Sequence, residues 1–344
     1  MNDRTLVVTE VKMNNYERIL RVLHEESGLE AFIVIHNTHL GPALGGIRCY
    51  PYDNEESQLT DTLLLAADMT FKNATSGLDH GGAKTTINSA KIKDRKVAFR
   101  ILGKIINTLD GGYVCTGDIG VTNDDLICIN DVTHYVAGIN LDSSLPTALG
   151  VYTSIETLVG RVQRYPENCS FMIQGLGKVG MKLAEMLLKN KYEGKVYAFD
   201  VKKEPFDYIR QNKIDVIRAD ATEVYTKKVD VFVPCAVEAV LNKSTLSKLN
   251  SSFICGSANN MFGDREDIMT LRNNKRYVPD FISNCGGVVA AALNFQHKDY
   301  TTALTVDLRK RITDILNEAY RTNIPAQVVA EDIAHSRLNL KKVA

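Results

Sequence analysis

The fold of this chain is decided by the stretch FMIQGLGKVGMKLAEMLLKNKYEGKVYAFD, residues 171–200. The short apolar run FMIQ predicts a strand, and it leads directly into the pattern G-x-G-x-x-G at Gly175, Gly177 and Gly180. The segment after these glycines has apolar residues at helical spacing, and KVYAFD then predicts a second strand. Strand, glycine-rich turn, helix and strand in this order predict a β-α-β unit of a parallel sheet covered by helices.

The three glycines have separate physical uses in such a turn. The first permits a tight turn, the second lets the backbone approach a pyrophosphate, and the third allows close packing of helix on strand. The helix N-terminus, with Lys178 and Val179 in its first turn, would face the anion with its free N–H groups. Asp200 ends the second strand, where it can accept hydrogen bonds from a ribose and repel a 2′-phosphate. These features predict a Rossmann-type site for NAD rather than NADP, while Lys202 and Lys203 leave tolerance of NADP open.

Length and pattern together predict an α/β protein of two domains, because 344 residues exceed what one ordinary core contains. Residues 1–140 show helix and strand patterns in turn and are expected to form an N-terminal α/β domain. Residues 141–321 continue the β-α-β series and are expected to form a doubly wound parallel sheet, separated from the first domain by a cleft. A C-terminal helix, about residues 322–344, is expected to pack back on the first domain.

Local patterns predict several elements of these domains. The segment YERILRVLHEESG, residues 16–28, predicts an amphipathic helix closed by Gly28, and residues 29–38 predict a buried strand. Residues 56–74 predict a long helix. Pro146 is expected to introduce the first helix of the second domain.

The charges and the cysteines argue against several classes of function. Basic and acidic side chains number 41 each, so no net charge favours a nucleic-acid partner. No apolar run is long enough to span a bilayer, and the N-terminus lacks the apolar core of a signal peptide. The seven cysteines are scattered without a CxxC pair, which favours a cytoplasmic protein with reduced thiols over a disulfide framework or a zinc site. His36 and His39 lack nearby ligands, so no metal is expected.

Two lysines stand beside glycines in a pattern that favours binding of an anion. Lys72 ends a predicted helix, and Lys84 ends the stretch GLDHGGAK, residues 77–84. A single lysine is most often a solvated surface charge. Here Gly81 and Gly82 would let a ligand or another backbone approach closely. In such a site one lysine can act as a base near neutral pH while the other holds an anionic substrate.

Three further residues are candidates for the same site. Gly45 and Gly46 form a second glycine cluster, whose N–H groups can serve a carboxylate. Asp118 stands in CTGDIG, residues 115–120, where a strand runs into a loop. A catalytic acid often occupies such a place, but spacing alone supports a helix or turn cap equally well.

Taken together, eight stretches of the chain resemble the amino acid dehydrogenase superfamily of glutamate, leucine, valine and phenylalanine dehydrogenases, and the leucine dehydrogenase branch looks most similar. The resemblance covers nearly the whole chain, and the stretch with the two lysines and GSANN are its most specific parts. The stretches, in chain order, are HLGPALGGIRCYPY (39–52), MTFKNATSGLDHGGAK (69–84), TGDIG (116–120), PTALGVY (146–152), IQGLGKVG (173–180), VFVPCA (231–236), GSANN (256–260) and PDFISNCGGV (279–288).

This resemblance implies a reaction and assigns roles to matching residues. The reaction is reversible oxidative deamination of an L-amino acid to its 2-oxo acid and ammonia, with hydride passing to NAD. Lys72 would bind the substrate carboxylate, helped by Gly45 and Gly46. Lys84 would be the base that activates water, and Asp118 would exchange protons with the substrate nitrogen. The remaining residues carried over are Thr147, Cys235, Ala236 and Asn259 for the cofactor and Asn260 for the substrate.

Four positions bear on the choice of substrate. Leu44 stands where glutamate-specific relatives carry a lysine, so the resemblance implies rejection of glutamate and acceptance of an apolar side chain. Thr116, Val288 and Ala291 would shape the same pocket. Val288 fits the leucine-type pattern, while Thr116 and Ala291 differ from the expected alanine and valine. Branched aliphatic substrates are therefore expected first, and phenylalanine or tryptophan next.

One alternative function and the effect of three departures from the family pattern stay open at this point. A protein that binds NAD without turnover is the alternative from another functional class, although both lysines and Asp118 are present. Asp68, Ala83 and Gly117 replace a glycine, a glycine and a glutamate of the family pattern, and Ala83 would matter if its position needs a positive φ. The family also implies a homo-oligomer, from dimer to octamer.

Overall fold

A computed structural model describes residues 5–162, 168–189, 194–236, 239–271 and 276–340. The chain divides into two compact units. The first unit contains Met1–Leu141, Ala290–Lys298 and Ala334–Ala344, and the second contains Asp142–Val289 and Asp299–Ile333. No helix within the described ranges is both long enough and apolar enough to cross a bilayer.

A six-stranded sheet with helices forms the first unit. Its elements are β1 (Leu6–Val11), β2 (Arg18–His24), β3 (Leu29–Asn37), β4 (Ala43–Tyr50), α1 (Glu55–Thr75), β5 (Gly81–Asn88), α2 (Arg95–Asn107), β6 (Tyr113–Gly117) and α3 (Asn123–Asn130). The strand order is β1-β2-β3-β5-β4-β6. Strand β4 is parallel to both of its neighbours, and the other pairs are antiparallel. The predicted α/β character of this region is confirmed.

Strand β2 replaces the helix predicted for residues 16–28, so that prediction was wrong. The strand pairs antiparallel with β1 and β3, and Gly28 has a φ of +67° between β2 and β3. Leu20 and Val22 pack into one hydrophobic cluster and Ile19 into another, because both faces of the sheet are covered. Apolar residues that alternate between two buried faces leave no strand periodicity, so the segment resembled a helix.

Helix α1 is held on the sheet largely by polar contacts. It begins after Asn54, whose side chain accepts the N–H of Ser57. Near its other end, the buried Asn73 donates from Nδ2 to the carbonyl oxygens of Leu44 at 3.0 Å and Gly81 at 2.6 Å. A Cβ on Gly82 would lie 2.1 Å from the backbone nitrogen of Thr70, so this glycine allows the helix to approach β5. The end of α1 is thereby positioned over the start of β5.

The second unit contains a parallel sheet. Its elements begin with α4 (Ser144–Gly160), β7 (Phe171–Gln174), α5 (Lys178–Lys189), β8 (Val196–Phe199), α6 (Glu204–Gln211), β9 (Val216–Arg218), α7 (Glu223–Thr226) and β10 (Val229–Pro234). They continue with α8 (Lys243–Leu246), β11 (Ser251–Ile254), α9 (Arg265–Thr270), β12 (Arg276–Tyr277) and α10 (Asp280–Ser283). The strand order is β12-β11-β10-β7-β8-β9, with every pair parallel. This order confirms the predicted doubly wound sheet, and it reverses at β7, where such folds bind dinucleotides.

The remaining helices are α11 (Gly286–Phe295), a π-helical segment (Ala303–Asp307), α12 (Leu308–Thr322) and α13 (Ala326–Leu340). The end of α13 belongs to the first unit, where Ala334 packs with Leu40 and Ala74. Arg337 donates to the Ala74 carbonyl oxygen at 2.7 Å and pairs with Asp79 at 2.9 Å. Residues 341–344 of the helix predicted over 322–344 lie outside the described ranges.

Candidate functional site

The glycine-rich loop after β7 has the geometry that a pyrophosphate requires. Gly175 adopts a φ of +100°, and a Cβ there would lie 2.8 Å from the Cβ of Ala236. A Cβ on Gly180 would lie 2.0 Å from the Gly175 carbonyl oxygen, so helix α5 packs tightly against the loop. Gly177 differs, because nothing lies within 4 Å of its added Cβ. The loop therefore offers an open backbone face at the N-terminus of α5, where Lys178 and Val179 begin the helix, and this fits a dinucleotide.

Asp200 has a structural contact that the sequence did not reveal. Its Oδ2 accepts the N–H of Leu176 at 2.8 Å, and its Oδ1 accepts the N–H of Lys202 at 2.9 Å. The carboxylate at the end of β8 therefore stabilises the glycine loop by this hydrogen bond to Leu176. Each carboxylate oxygen can accept a further hydrogen bond, so ribose hydroxyls remain possible partners.

The other residues assigned to the cofactor lie at strand and helix ends of the second unit. Cys235 and Ala236 follow β10, and the N–H of Cys235 donates to the Gln174 carbonyl oxygen at 2.7 Å. Thr147 lies in the first turn of α4, where its hydroxyl donates to the Ser143 carbonyl oxygen at 2.7 Å.

The two asparagines of GSANN are oriented by different contacts. Asn259 is exposed, and its Oδ1 accepts from Nδ2 of the buried Asn284 at 2.9 Å. Asn260 has a φ of +43°, and its carbonyl oxygen accepts the N–H of Ala239 at 2.8 Å. Asn284 was missed in the sequence, although it stands in the family-like stretch PDFISNCGGV. Its role in orienting Asn259 depends on a contact between residues 25 positions apart.

In the first unit the structure brings Lys84 and Asp118 into direct contact. Lys84 lies in β5 and is 5% exposed, and its Nζ donates to Asp118 Oδ2 at 2.5 Å. Asp118 follows β6, and its N–H donates to the Ile47 carbonyl oxygen at 3.0 Å. A buried ammonium and a carboxylate therefore meet where the parallel strands β5 and β6 flank β4.

Arg48, in β4, is a second cationic partner of Asp118 that the sequence analysis missed. Its Nε donates to Asp118 Oδ2 at 3.2 Å. Burial alone would raise the pKa of the Asp118 carboxyl, but the charges of Lys84 and Arg48 and a hydrogen bond from the backbone of Ile119 lower it to about 2. Asp118 is therefore a carboxylate at every pH at which an enzyme normally works.

The two glycines of β4 have different surroundings. A Cβ on Gly46 would lie 2.8 Å from the Cβ of Asp118 and 3.3 Å from Nζ of Lys84. A Cβ on Gly45 would lie 1.7 Å from the carbonyl oxygen of Ala83 in β5. Gly46 thus lets the Lys84–Asp118 pair lie directly against β4, whereas Gly45 allows two strands to approach.

The glycines before Lys84 lie in strand β5 and not in a turn. A Cβ on Gly81 would lie 1.8 Å from the Asn37 carbonyl oxygen, so the close approach is made by another backbone, as at Gly82. Ala83 lies in the same extended strand and has no positive φ, so its methyl group introduces no backbone strain. Lys72 is half-buried in the last turn of α1, and Asn73 holds that turn against β5.

Thr116 and Ala291, two of the residues predicted to determine substrate specificity, lie beside the same glycine. A Cβ on Gly138, which has a φ of +78°, would lie 2.9 Å from Oγ1 of Thr116 and 3.7 Å from the Cβ of Ala291. Val288 precedes Ala291 by three residues on α11, so both share one face of that helix. Leu44 is fully buried in β4. Gly138 was not found from the sequence, because nothing local distinguishes it from an ordinary turn glycine.

Known proteins similar to this chain share most of its length. It is 35% identical over 329 residues to the phenylalanine dehydrogenase of Lysinibacillus sphaericus, which covers 90% of this chain and 84% of that protein. It is 34% identical over 339 residues to the leucine dehydrogenase of Bacillus cereus, with coverages of 94% and 91%. The crystal structure of L-tryptophan dehydrogenase from Nostoc punctiforme matches it with a TM-score of 0.82 at 28% identity, covering 96% of this chain and 98% of that one.

Family matches agree with these relatives. Residues 17–135 match the family described as Glu/Leu/Phe/Val dehydrogenase, dimerisation domain. Residues 192–335 match the family described as Glutamate/Leucine/Phenylalanine/Valine dehydrogenase. The resemblance read from the sequence is thereby confirmed, and enzymes of this kind are NAD(P)-dependent. The chain is therefore an oxidoreductase, an amino acid dehydrogenase that belongs to the glutamate/leucine/phenylalanine/valine dehydrogenase family.

Proposed function

We propose that this protein catalyses the NAD-dependent, reversible oxidative deamination of an apolar L-amino acid to its 2-oxo acid and ammonia. The observation that carries the proposal is the 2.5 Å contact between Lys84 Nζ and Asp118 Oδ2, made directly against Gly46 of β4. A buried cation and a carboxylate in direct contact can donate and accept the protons that move when the substrate nitrogen is deprotonated and the imine is hydrolysed.

The side chains divide the chemistry as follows. Lys72 binds the substrate carboxylate, and the ionised Asp118 accepts a proton from the substrate nitrogen and later returns one. The glycine loop at Gly175, Gly177 and Gly180 would hold NAD, which would supply the hydride acceptor for this reaction. Lys84 removes a proton from the water that attacks the resulting imine carbon, and as an ammonium it stabilises the oxygen that forms there. Gly46 has no side chain and so lets Asp118 and Lys84 lie directly against β4.

An apolar substrate is favoured by the lack of charge at Leu44. This side chain is fully buried and uncharged, so it offers no counter-charge to a substrate carboxylate. We expect leucine, isoleucine and valine to be the preferred substrates. The second candidate is an aromatic amino acid, because Thr116 and Ala291, the two pocket positions that differ from the leucine-type pattern, both lie against Gly138. Phenylalanine and tryptophan dehydrogenases are among the proteins similar to this chain.

A substrate panel tests this proposal. Purified protein with NAD is expected to form NADH with leucine, isoleucine or valine and to give no signal with glutamate, as measured by absorbance. The reverse reaction, with the matching oxo acids, ammonia and NADH, is expected to show the same ranking. A clear preference for phenylalanine or tryptophan would replace the aliphatic assignment. Turnover of glutamate would contradict the role given to Leu44.

The assignment of the glycine loop to NAD can be tested with two alanine substitutions. Gly177→Ala is expected to leave the melting temperature unchanged, because its Cβ enters open space, and to weaken NADH binding about tenfold. Gly180→Ala is expected to lower the melting temperature, because its Cβ meets the Gly175 carbonyl oxygen. Fluorescence titration and thermal denaturation measure the two effects. Unchanged NADH affinity in Gly177→Ala would argue against binding of the pyrophosphate at this loop.

We further propose a cytoplasmic homo-oligomer that uses NAD in preference to NADP. The name of the N-terminal family refers to dimerisation, which supports association through the first unit. The structure describes all seven cysteines and places none of them in a disulfide, as expected in a reducing compartment. Light scattering tests the oligomeric state, and comparison of kcat/KM for the two cofactors tests the preference for NAD.

We also propose that residues 1–140 form the substrate domain and that residues 141–321 form the cofactor domain.

A further inference from the structure

Arg48 connects the Lys84–Asp118 pair to a second carboxylate. Besides its contact with Asp118, the guanidinium donates from Nη1 to Asp61 Oδ2 at 3.2 Å. Asp61 lies on α1, and the hydroxyl of Tyr52 donates to the same Asp61 oxygen at 2.6 Å. The contacts form a continuous series from Lys84 through Asp118, Arg48 and Asp61 to Tyr52.

Arg48 and Tyr52, two groups at the end of the series away from Lys84, each keep one protonation state. Burial alone would lower the pKa of the Arg48 guanidinium, but the charges of Asp118 and Asp61 raise it. Burial raises the pKa of the Tyr52 hydroxyl, and its hydrogen bond to Asp61 raises it further. Arg48 therefore stays a cation, and Tyr52 stays a proton donor that holds Asp61 in place.

Lys84 differs from Arg48, because a general base must release and regain its proton during turnover. A neutral amine attracts a carboxylate far less than an ammonium does. Asp118 is only 27% exposed, so without another cation it would lose most of its stabilisation whenever Lys84 is neutral. Arg48, with a side chain 20% exposed, supplies a charge that does not change.

We propose that Arg48 is a positioning residue that keeps the Asp118 carboxylate ionised and oriented while Lys84 exchanges its proton, and that Asp61 and Tyr52 hold Arg48 in this place. The role rests on the deamination proposed above, in which Asp118 acts on the substrate nitrogen. Within the described ranges, the charged and titratable groups that face Asp118 are Arg48 on β4, Tyr52 between β4 and α1, Asp61 on α1, Lys84 on β5 and Tyr113 on β6.

A double-mutant cycle tests this role. Arg48→Gln is expected to lower kcat/KM roughly 10- to 100-fold in the wild-type background. In the Asp118→Asn background the same change is expected to lower the residual turnover by less than about twofold, because the group through which Arg48 acts is gone. If Arg48→Gln lowered activity only by damaging the structure, kcat/KM would fall by the same factor in both backgrounds. If Arg48→Gln does not fold, Tyr52→Phe replaces it in the cycle, with an expected loss of about 3- to 10-fold.

The pH profile supplies a second readout. Asp118 must be ionised to accept a proton, so activity is lost as pH falls through its pKa. Because that pKa is about 2 in the wild type, the acid limb of kcat/KM does not report Asp118 at ordinary pH. Removing the Arg48 charge raises the pKa of Asp118, so Arg48→Gln is expected to lose activity at a higher pH than the wild type, with Asp118 now setting its acid limb. Arg48→Lys keeps the charge but lacks the planar guanidinium that contacts two carboxylates. We therefore expect this variant to keep the acid limb of the wild type and to have a lowered kcat.

Arg100→Gln is the matched control. Arg100 pairs with Asp131 at 3.2 Å on the surface, with both side chains 45% exposed, and its loss is expected to leave the kinetics unchanged. Equal losses in both backgrounds, with an active wild type, would overturn the role of Arg48 and leave the proposed function intact. A wild type that turns over no amino acid would overturn the proposed function and this role with it.

Discussion

Lys84→Ala is expected to lower kcat for deamination by roughly three orders of magnitude, the scale of a lost general base. The substitution removes a 5% exposed ammonium that lies 2.5 Å from Asp118 Oδ2. Asp118 keeps Arg48 as a counter-charge at 3.2 Å, so the carboxylate itself is not left without a cation. Steady-state formation of NADH measures the effect.

The control for this variant is Lys91→Ala, which removes an exposed lysine close in sequence to Lys84. It is expected to keep the wild-type kcat. NADH binding by Lys84→Ala is expected to be unchanged, because Lys84 belongs to the first unit and the glycine loop that we assign to the cofactor belongs to the second. A wild-type kcat in Lys84→Ala would refute the assignment of the base. Binding of NADH by the wild type without turnover of any amino acid would favour a cofactor sensor.

The two adjacent glycines of β4 are expected to respond to alanine in opposite ways. Gly45→Ala places a Cβ 1.7 Å from the carbonyl oxygen of Ala83, and neither strand can move aside inside the sheet. We expect it to destabilise the fold by about 3 kcal/mol or more, as overpacking against backbone does. Gly46→Ala places a Cβ 2.8 Å from the Cβ of Asp118 and 3.3 Å from Nζ of Lys84, so it pushes Asp118 away from β4 without meeting a neighbouring strand. It is expected to fold and to lose about 100-fold in kcat, because the reacting groups are displaced.

Thermal denaturation and steady-state kinetics on both glycine variants measure this difference. The two substitutions add the same methyl group at neighbouring positions, so each is the control for the other. A Gly46→Ala protein that melts as early as Gly45→Ala would show that Gly46 serves packing and not the site. A stable, active Gly46→Ala protein would contradict the placement of substrate beside Lys84 and Asp118.

Much of the second unit could be predicted from the sequence because its determinants act locally. Gly175 and Gly180 lie in one short loop, and the contact that requires Gly180 is with the Gly175 carbonyl oxygen. The buried parallel strand β7 is a continuous apolar run, and such a run between turn residues predicts a strand. The neighbouring glycines singled out Lys84, but the roles of Lys84 and Asp118 were assigned from stretches resembling a family, since spacing alone supports a cap at Asp118 equally well.

Other features could not be predicted, because they depend on neighbours that are distant in the chain. Strand β2 is buried on both faces by packing against different parts of the sheet, which removes the alternation that marks a strand. Gly138 matters only because Thr116 and Ala291 meet beside it. Asn284 orients Asn259 across 25 residues.

By itself, the sequence determined the α/β class and the dinucleotide unit and predicted the reactive residues, because turn glycines, apolar runs and family-specific stretches are local properties. Only the tertiary structure decided how Asp118 is held. Arg48 lies 70 residues before Asp118 and 13 before Asp61, and their contacts exist because parallel strands and α1 bring these positions together. Charge interactions of this strength need burial and distances near 3 Å, and both are consequences of packing rather than of spacing along the chain.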